Sequence, residues 1–226
     1  TSKEPQAPAA GFLVTARTTI DRMRDWGVPA EKLIETGFPG NPAFAELSPV
    51  PADAPTNPVR ILYFPTARKP FVRRHSRALL DASPDVHLTI VMEKNFRLLQ
   101  SRAREIKAAY PGRVRLLGWT RKIPQLLNSH HMVVGKAGGA TVHEAIAARC
   151  PMLIHHLVPG QEEGNLRLLQ QLGAGDLAEQ PKELTAAITA ILADNAAKWR
   201  KMKAALAAHN RNDGATIAAK FILNHI

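Results

Sequence analysis

The sequence predicts an α/β protein built on a Rossmann-like, doubly wound parallel sheet. Three observations carry this expectation. Between residues 59 and 154, short runs rich in Val, Ile and Leu alternate with stretches of helical periodicity, a pattern that requires right-handed crossovers and covers the sheet on both faces. One strand-to-helix turn, 135–141, consists mostly of small residues, which lets a helix begin close against its strand. The composition, 45% hydrophobic and 22% charged, is that of a globular chain able to bury a full core, so disorder, collagen and coiled coil are excluded as whole-chain descriptions.

In chain order, 12–15 reads as a short buried strand, and Thr15 caps a helix running to about Trp26, where Gly27 supplies the stop signal. Residues 32–36 read as a second strand. Pro39, Pro42, Pro49, Pro51, Pro55 and Pro58 then block regular structure and mark a linker. After it come a strand at 59–64, a helix at 72–82, a strand at 87–92, a helix at 95–109, a strand at 114–117, a short helix at 123–129, a strand at 132–134, a helix at 141–148 and a strand at 152–154. Beyond Asn165 the pattern is mostly helical, with segments at 166–172, 181–193, 196–208 and 214–226. The expected organisation is the tail of one domain at 1–36, a linker at 37–58 and the α/β domain at 59–226.

The balance of 30 Lys and Arg against 19 Asp and Glu leaves a net charge of +11, which attracts polyanions of any kind. Aromatic residues make up only 5% of the chain and do not interleave with basic ones, so the stacking platforms of nucleic-acid binders are missing and nucleic acid is not the expected partner. The densest basic stretch, Arg68 to Arg77, mixes cations with apolar residues; it suits phosphates or lipid headgroups and equally a solvated helix face. No apolar run reaches the roughly 20 residues of a membrane-spanning helix, and Thr1 to Pro5 lack the apolar core of a signal peptide. The single cysteine, Cys150, fits a reducing cytoplasm and a place in the core.

Ligands of parallel α/β sheets collect at the carboxyl ends of the strands, which directs attention to the loops after Val134 and Ile154. The first, Gly135-Lys136-Ala137-Gly138-Gly139-Ala140-Thr141, opens a helix with residues that let backbone N–H groups approach an anion. It is neither a Rossmann GxGxxG nor a Walker loop, which disfavours a nicotinamide cofactor and ATP. A Gly-Gly pair also serves a tight connection that binds nothing. Glu144, one turn on, can accept hydrogen bonds from vicinal hydroxyls or act as a partner of the helix dipole. The second loop, Val158 to Asn165, gathers amide and carboxylate groups between two glycines; it suits a polyhydroxylated sugar or a plain polar turn. The pairs His130-His131 and His155-His156 lie along strands, where neighbours point to opposite faces, so polar structural roles are expected and no metal site. A zincin helix and a Gly-x-Ser-x-Gly elbow are both missing.

The run from Gly135 to Ala145, then Pro151 to Ile154, then Pro159 to Asn165 resembles the donor-binding half of monogalactosyldiacylglycerol synthases and processive diacylglycerol glycosyltransferases, which are related to the peptidoglycan N-acetylglucosaminyltransferases. Upstream, 12–15, Gly27-Val28-Pro29 and 36–44 are similar to the stretch where that family's N-terminal domain hands over to its C-terminal one. The resemblance implies the C-terminal half of a GT-B glycosyltransferase, with 1–36 as a remnant of the acceptor-side domain. It implies that Gly138, Gly139, Ala140 and Thr141 hold the diphosphate of a UDP-sugar, with Lys136 as an added cation. Glu144 would hold the ribose, Gln161, Glu162 and Asn165 would face the hexose, and the segment of Trp119, Thr120 and Ile123 would hold uracil.

The implied substrate is UDP-galactose or UDP-glucose, with no cofactor and no metal, and the implied acceptor is a lipid such as diacylglycerol at an anionic, cytoplasmic membrane face. The catalytic base is expected in the N-terminal domain, outside this chain. A polyprenyl-linked acceptor, or a UDP-sugar-binding subunit completed by a partner chain, are the alternatives. The sequence departs from the family in the loop Phe64 to Pro70, which contains no glycine; Arg68 or Lys69 would have to replace its amides.

Overall fold

The structure, a computed structural model, describes residues 9–67, 69–209 and 213–224. The chain divides into two compact units, Thr1–Glu46 with Arg211–Ile226, and Leu47–Asn210. This differs from the boundaries read in the sequence: the break falls inside the proline-rich stretch, and the C-terminal helix joins the first unit. The physical reason is close backbone packing at Gly214, where a Cβ would strike the Phe38 carbonyl and lie 2.8 Å from the Gly37 carbonyl carbon.

In the first unit, β1 (Phe12–Val14) pairs in parallel with β2 (Leu33–Glu35), and α1 (Arg17–Asp25) connects them. The N-cap of α1 is Ala16, without a side-chain cap, where Thr15 was expected. Six prolines do not keep 37–58 wholly irregular: Asn41 accepts the Ala43 N–H at 3.0 Å and opens the single turn α2 (Ala43–Glu46). α9 (Gly214–Leu223) completes this unit.

The second unit is a parallel sheet in the order β5-β4-β3-β6-β7-β8. Its strands are β3 (Val59–Tyr63), β4 (Val86–Val91), β5 (Val114–Leu117), β6 (Met132–Lys136), β7 (Met152–His156) and β8 (Gly175–Leu177). The central strands read as unbroken apolar runs because both their faces are covered; Ile61, Leu62 and Tyr63 are completely buried. α3 (Lys69–Asp81) packs between α4 (Phe96–Ala109) and α8 (Pro181–His209), while α6 (Gly139–Ala147) contacts both α5 (Ile123–Ser129) and α7 (Glu163–Gln171). The order reverses between β3 and β6, so right-handed crossovers carry these two sets of helices to opposite faces.

Two elements differ from expectation. β8 lies in a region read as helical; it is three residues long, has no β-branched residue, and approaches β7 so closely that a Cβ at Gly175 would strike the Met152 carbonyl. α7 begins three residues early because the N–H groups of Asn165 and Leu166 bond the Glu162 carbonyl at 3.1 and 3.2 Å. α8 is interrupted at 193–196, where Asp194, Asn195 and Ala196 take left-handed φ of +50° to +58°, which agrees with two successive helices at 181–193 and 196–208. No helix among the described residues is long and apolar enough to cross a membrane.

Candidate functional site

All six strands run in parallel, so the loops after β3, β4, β5, β6 and β7 open at one end of the sheet. β3 and β6 flank the point where the order reverses, and a crevice is expected there. Gly138 is the N-cap of α6, in ordinary extended backbone (φ −65°, ψ 138°), with no side-chain cap and no acidic residue in the first turn. An α-helix leaves its first N–H groups without intrahelical partners, and a diphosphate is well suited to them.

Neither glycine is required by the protein's own packing. A Cβ on Gly138 would lie 3.5 Å from Lys136 Cε, and one on Gly139 would meet nothing nearer than Asn165 Nδ2 at 3.8 Å. Both are ordinary contacts, and neither residue has a positive φ. What the missing side chains keep clear is the space in front of the helix.

Around that space the fold gathers residues distant in sequence. Lys136, at the exposed end of β6, places Nζ 2.9 Å from Glu162 Oε1, and Glu162 Oε2 accepts the Val158 N–H at 3.1 Å. Asn165 Nδ2 donates to the Ala137 carbonyl at 2.9 Å, which ties the start of α7 to the turn before α6. The two loops singled out in the sequence are therefore brought together. Both carboxylate oxygens of the buried Glu162 are engaged, so it acts as a pin holding Lys136 and the second loop; Gln161 is exposed beside it.

Ala140 and Thr141 lie in the first turn of α6, and Glu144 stands half-buried one turn further on. Burial raises the Glu144 pKa above the usual carboxylate range, and the carboxylate of Glu93 adds to the rise. Glu93 is a residue that sequence reasoning missed: it follows β4 with a left-handed φ of +46°, at a position where no local pattern marks it. Thr66, in the loop after β3, keeps a buried hydroxyl without a hydrogen-bond partner. Arg68 falls outside the described residues, as does the side chain of Lys69.

The uracil candidates stand at the end of β5, the edge strand. Trp119 is 62% exposed with the Arg121 guanidinium 5.4 Å from its ring centroid. Thr120 Oγ1 accepts the Lys122 N–H at 3.1 Å, and Ile123 opens α5. His130 and His131 are buried structural residues. His130 bonds the Leu126 carbonyl and the Thr89 hydroxyl, and His131 Nδ1 accepts the Arg60 N–H at 3.0 Å. Among the described residues no group of three or more His, Cys, Asp or Glu side chains is arranged to hold a metal ion.

This sheet order and helix arrangement define a Rossmann-like α/β fold with helices on both faces of a parallel sheet. Solved structures agree. The chain superposes on UDP-GlcNAc 2-epimerase from Neisseria meningitidis bound to UDP-GlcNAc with a TM-score of 0.67 at 13% identity, covering 96% of this chain and 61% of that one. It superposes on Phytolacca americana UGT2 complexed with UDP-2fluoro-glucose and pterostilbene with a TM-score of 0.65 at 12% identity, covering 96% and 54%.

In sequence the chain is similar to proteins named processive diacylglycerol beta-glucosyltransferase. It is 33% identical over 119 residues to the processive diacylglycerol beta-glucosyltransferase of Bacillus licheniformis, covering 53% of this chain and 30% of that protein. To the enzyme of the same name from Bacillus thuringiensis it is 29% identical over 214 residues, covering 90% of this chain and 54% of that protein. The chain thus spans about half the length of such a relative. No protein-family model matches it.

Proposed function

We propose that this chain is the donor-binding part of a UDP-dependent hexosyltransferase that transfers galactose or glucose from a UDP-sugar to a lipid acceptor such as diacylglycerol. The observation that carries this reading is the mouth of α6, at the reversal of the sheet, kept clear by two glycines that the fold does not itself require. The diphosphate sits on the N–H groups of Gly139, Ala140 and Thr141, and Lys136 turns from Glu162 toward it. Glu144 accepts the ribose hydroxyls, Gln161 and Asn165 border the hexose, and uracil lies along 118–123. The helix dipole and Lys136 stabilise UDP as it departs from the anomeric carbon in an in-line displacement. Residues 1–36 are the end of an acceptor-side domain, which supplies the base and the lipid site.

A test by pH follows from Glu144. It receives ribose hydroxyls as a carboxylate, and its raised pKa means that it protonates earlier than an ordinary glutamate as pH falls. UDP affinity should therefore weaken with acidification through a window above the usual glutamate range. Glu144→Gln should weaken UDP binding at pH 7 by roughly 10-fold or more, the worth of hydrogen bonds to a charged group, and should remove this part of the pH dependence. Because burial makes the ionised form unfavourable, the free protein carries a cost that grows as pH rises through the raised pKa. The Gln variant should lack that cost and melt no lower than the parent at pH 7. Isothermal titration of both proteins across the acid range decides it; identical profiles would remove Glu144 from the site.

The exposed Arg73, Arg74 and Arg77 on α3 suit an anionic surface, at about 1 kcal/mol for each cation near the headgroups. Co-sedimentation with liposomes should require anionic lipid and weaken between low and physiological salt. Equal binding to neutral liposomes would leave α3 a solvated face.

A further inference from the structure

α6 is nine residues long, so its two ends lie about 14 Å apart. Its far end closes on Arg149, which follows the C-cap Ala148 in the left-handed region at φ +48°, a place that glycine usually takes. The Arg149 N–H bonds the Ile146 carbonyl at 2.9 Å, and the Cys150 N–H bonds the Ala145 carbonyl at 2.8 Å. The Arg149 carbonyl itself accepts from a residue 54 positions on, Lys203 in the second half of α8, which donates from Nζ. Trp199, one turn earlier on α8, donates to the His131 carbonyl at the entrance of β6. One side of α8 therefore grips both the strand that leads into the glycine turn and the end of the helix that leaves it.

Lys203 is 4% exposed. The charged and titratable groups that face it are Arg149 and Cys150, in the turn after α6, and His131, ahead of β6; none is a carboxylate. Burial pushes the Cys150 thiol up to about 12 and holds His131 below the ordinary histidine range, so both are neutral at pH 7. Burial also lowers the Lys203 pKa to about 8, which leaves it charged at pH 7. A buried cation without an anion beside it opposes folding, and an apolar side chain in its place often does not. What this ammonium does meet is the negative end of the α6 dipole, and at the opposite end of the same helix lies the mouth.

We propose that Lys203 is a positioning residue for the donor diphosphate: its ammonium holds the end of α6 through the Arg149 carbonyl and sets a positive charge behind the helix whose opening receives the phosphates. The inference rests on the assignment of UDP to that opening. Across a helix of this length, one buried charge acting on a diphosphate changes affinity by about 5-fold. The sign of the pH dependence follows. UDP favours the charged ammonium, so binding raises the Lys203 pKa, takes up protons, and weakens as pH rises through about 8. The free protein behaves in the opposite sense. Its folded state releases this proton at lower pH than the unfolded chain, so its stability rises from about pH 8 toward the ordinary lysine range.

Isothermal titration of the full chain with UDP, from about pH 7 to about pH 9 and in buffers of different ionisation enthalpy, provides the test. The parent should take up a few tenths of a proton per UDP near pH 8 and lose about 5-fold in affinity across the range. Lys203→Met keeps the length of the side chain without its charge or its donor. It should bind UDP about 5-fold more weakly at pH 7, with neither the slope nor the proton uptake. Lys203→Arg carries a charge that does not titrate here, and it should restore the affinity and hold it level. A methionine variant with the parent's affinity and pH profile would leave Lys203 a helix cap alone, overturning the inference while UDP binding stands. Absence of proton uptake in the parent would overturn it without any variant, so the test survives a substitution that does not fold. A parent that binds no UDP at any pH would remove the donor assignment and this inference with it.

Discussion

Gly139→Val should abolish UDP binding while leaving the fold intact. In the parent, UDP at a hundredfold excess over its dissociation constant should add about 2.7 kcal/mol of stability. For a domain of this size that is a rise in Tm of roughly 5–10 °C. The valine has room in the protein, since a Cβ at this position meets only Asn165 Nδ2 at 3.8 Å, and the residue is already in the first turn of α6. Its methyl groups would occupy the space through which a phosphate oxygen reaches the backbone N–H groups, and an anion kept even 1–2 Å away loses those bonds. The variant should show the parent's circular dichroism and no shift of Tm with UDP. Retained stabilisation by UDP would place the diphosphate elsewhere and remove the central support for a transferase.

Trp199→Ala should bring the largest loss of stability. Trp199 is completely buried, lies in the second half of α8, and donates its indole N–H to the His131 carbonyl at 2.7 Å, with the two rings 5.4 Å apart. It thereby fastens the last long helix to the entrance of β6, the strand that leads into the candidate site. Truncation leaves a cavity worth about 3–5 kcal/mol against a total of about 5–15 kcal/mol for a domain, which corresponds to a fall in Tm of roughly 10 °C. Trp199→Phe keeps most of the volume and leaves the carbonyl unpaired, so its cost should be smaller, about 1–3 kcal/mol. Thermal melts of the two variants give the ordering. A loss below about 1 kcal/mol for the alanine would contradict the placement of this helix.

Much of the fold is legible in the chain because its central strands are covered on both faces. Ile61-Leu62-Tyr63 and Met132-Val133-Val134 must be continuously apolar, and continuous apolar runs are easy to read. β8 escapes the same reading: Gly-Asp-Leu has no strand-forming composition, and its glycine is explained only by the Met152 carbonyl lying against it. The site divides in the same way. The glycine turn, Lys136 and Glu144 occupy consecutive residues around one helix start, and their chemistry can be read locally. The engagement of Glu162 by Lys136 across 26 positions and the carboxylate of Glu93 near Glu144 have no local signature.

Alone, then, the order of residues was sufficient for the class of sheet, the helix start that can hold an anion and the resemblance to a glycosyltransferase half, since each depends on spacing within a few turns of chain. Which unit the last helix joins, and that Glu162 of the second loop meets Lys136 of the first, were decided in three dimensions. Those outcomes depend on groups tens of residues apart meeting at a few ångströms, and on burial that only the packed molecule imposes.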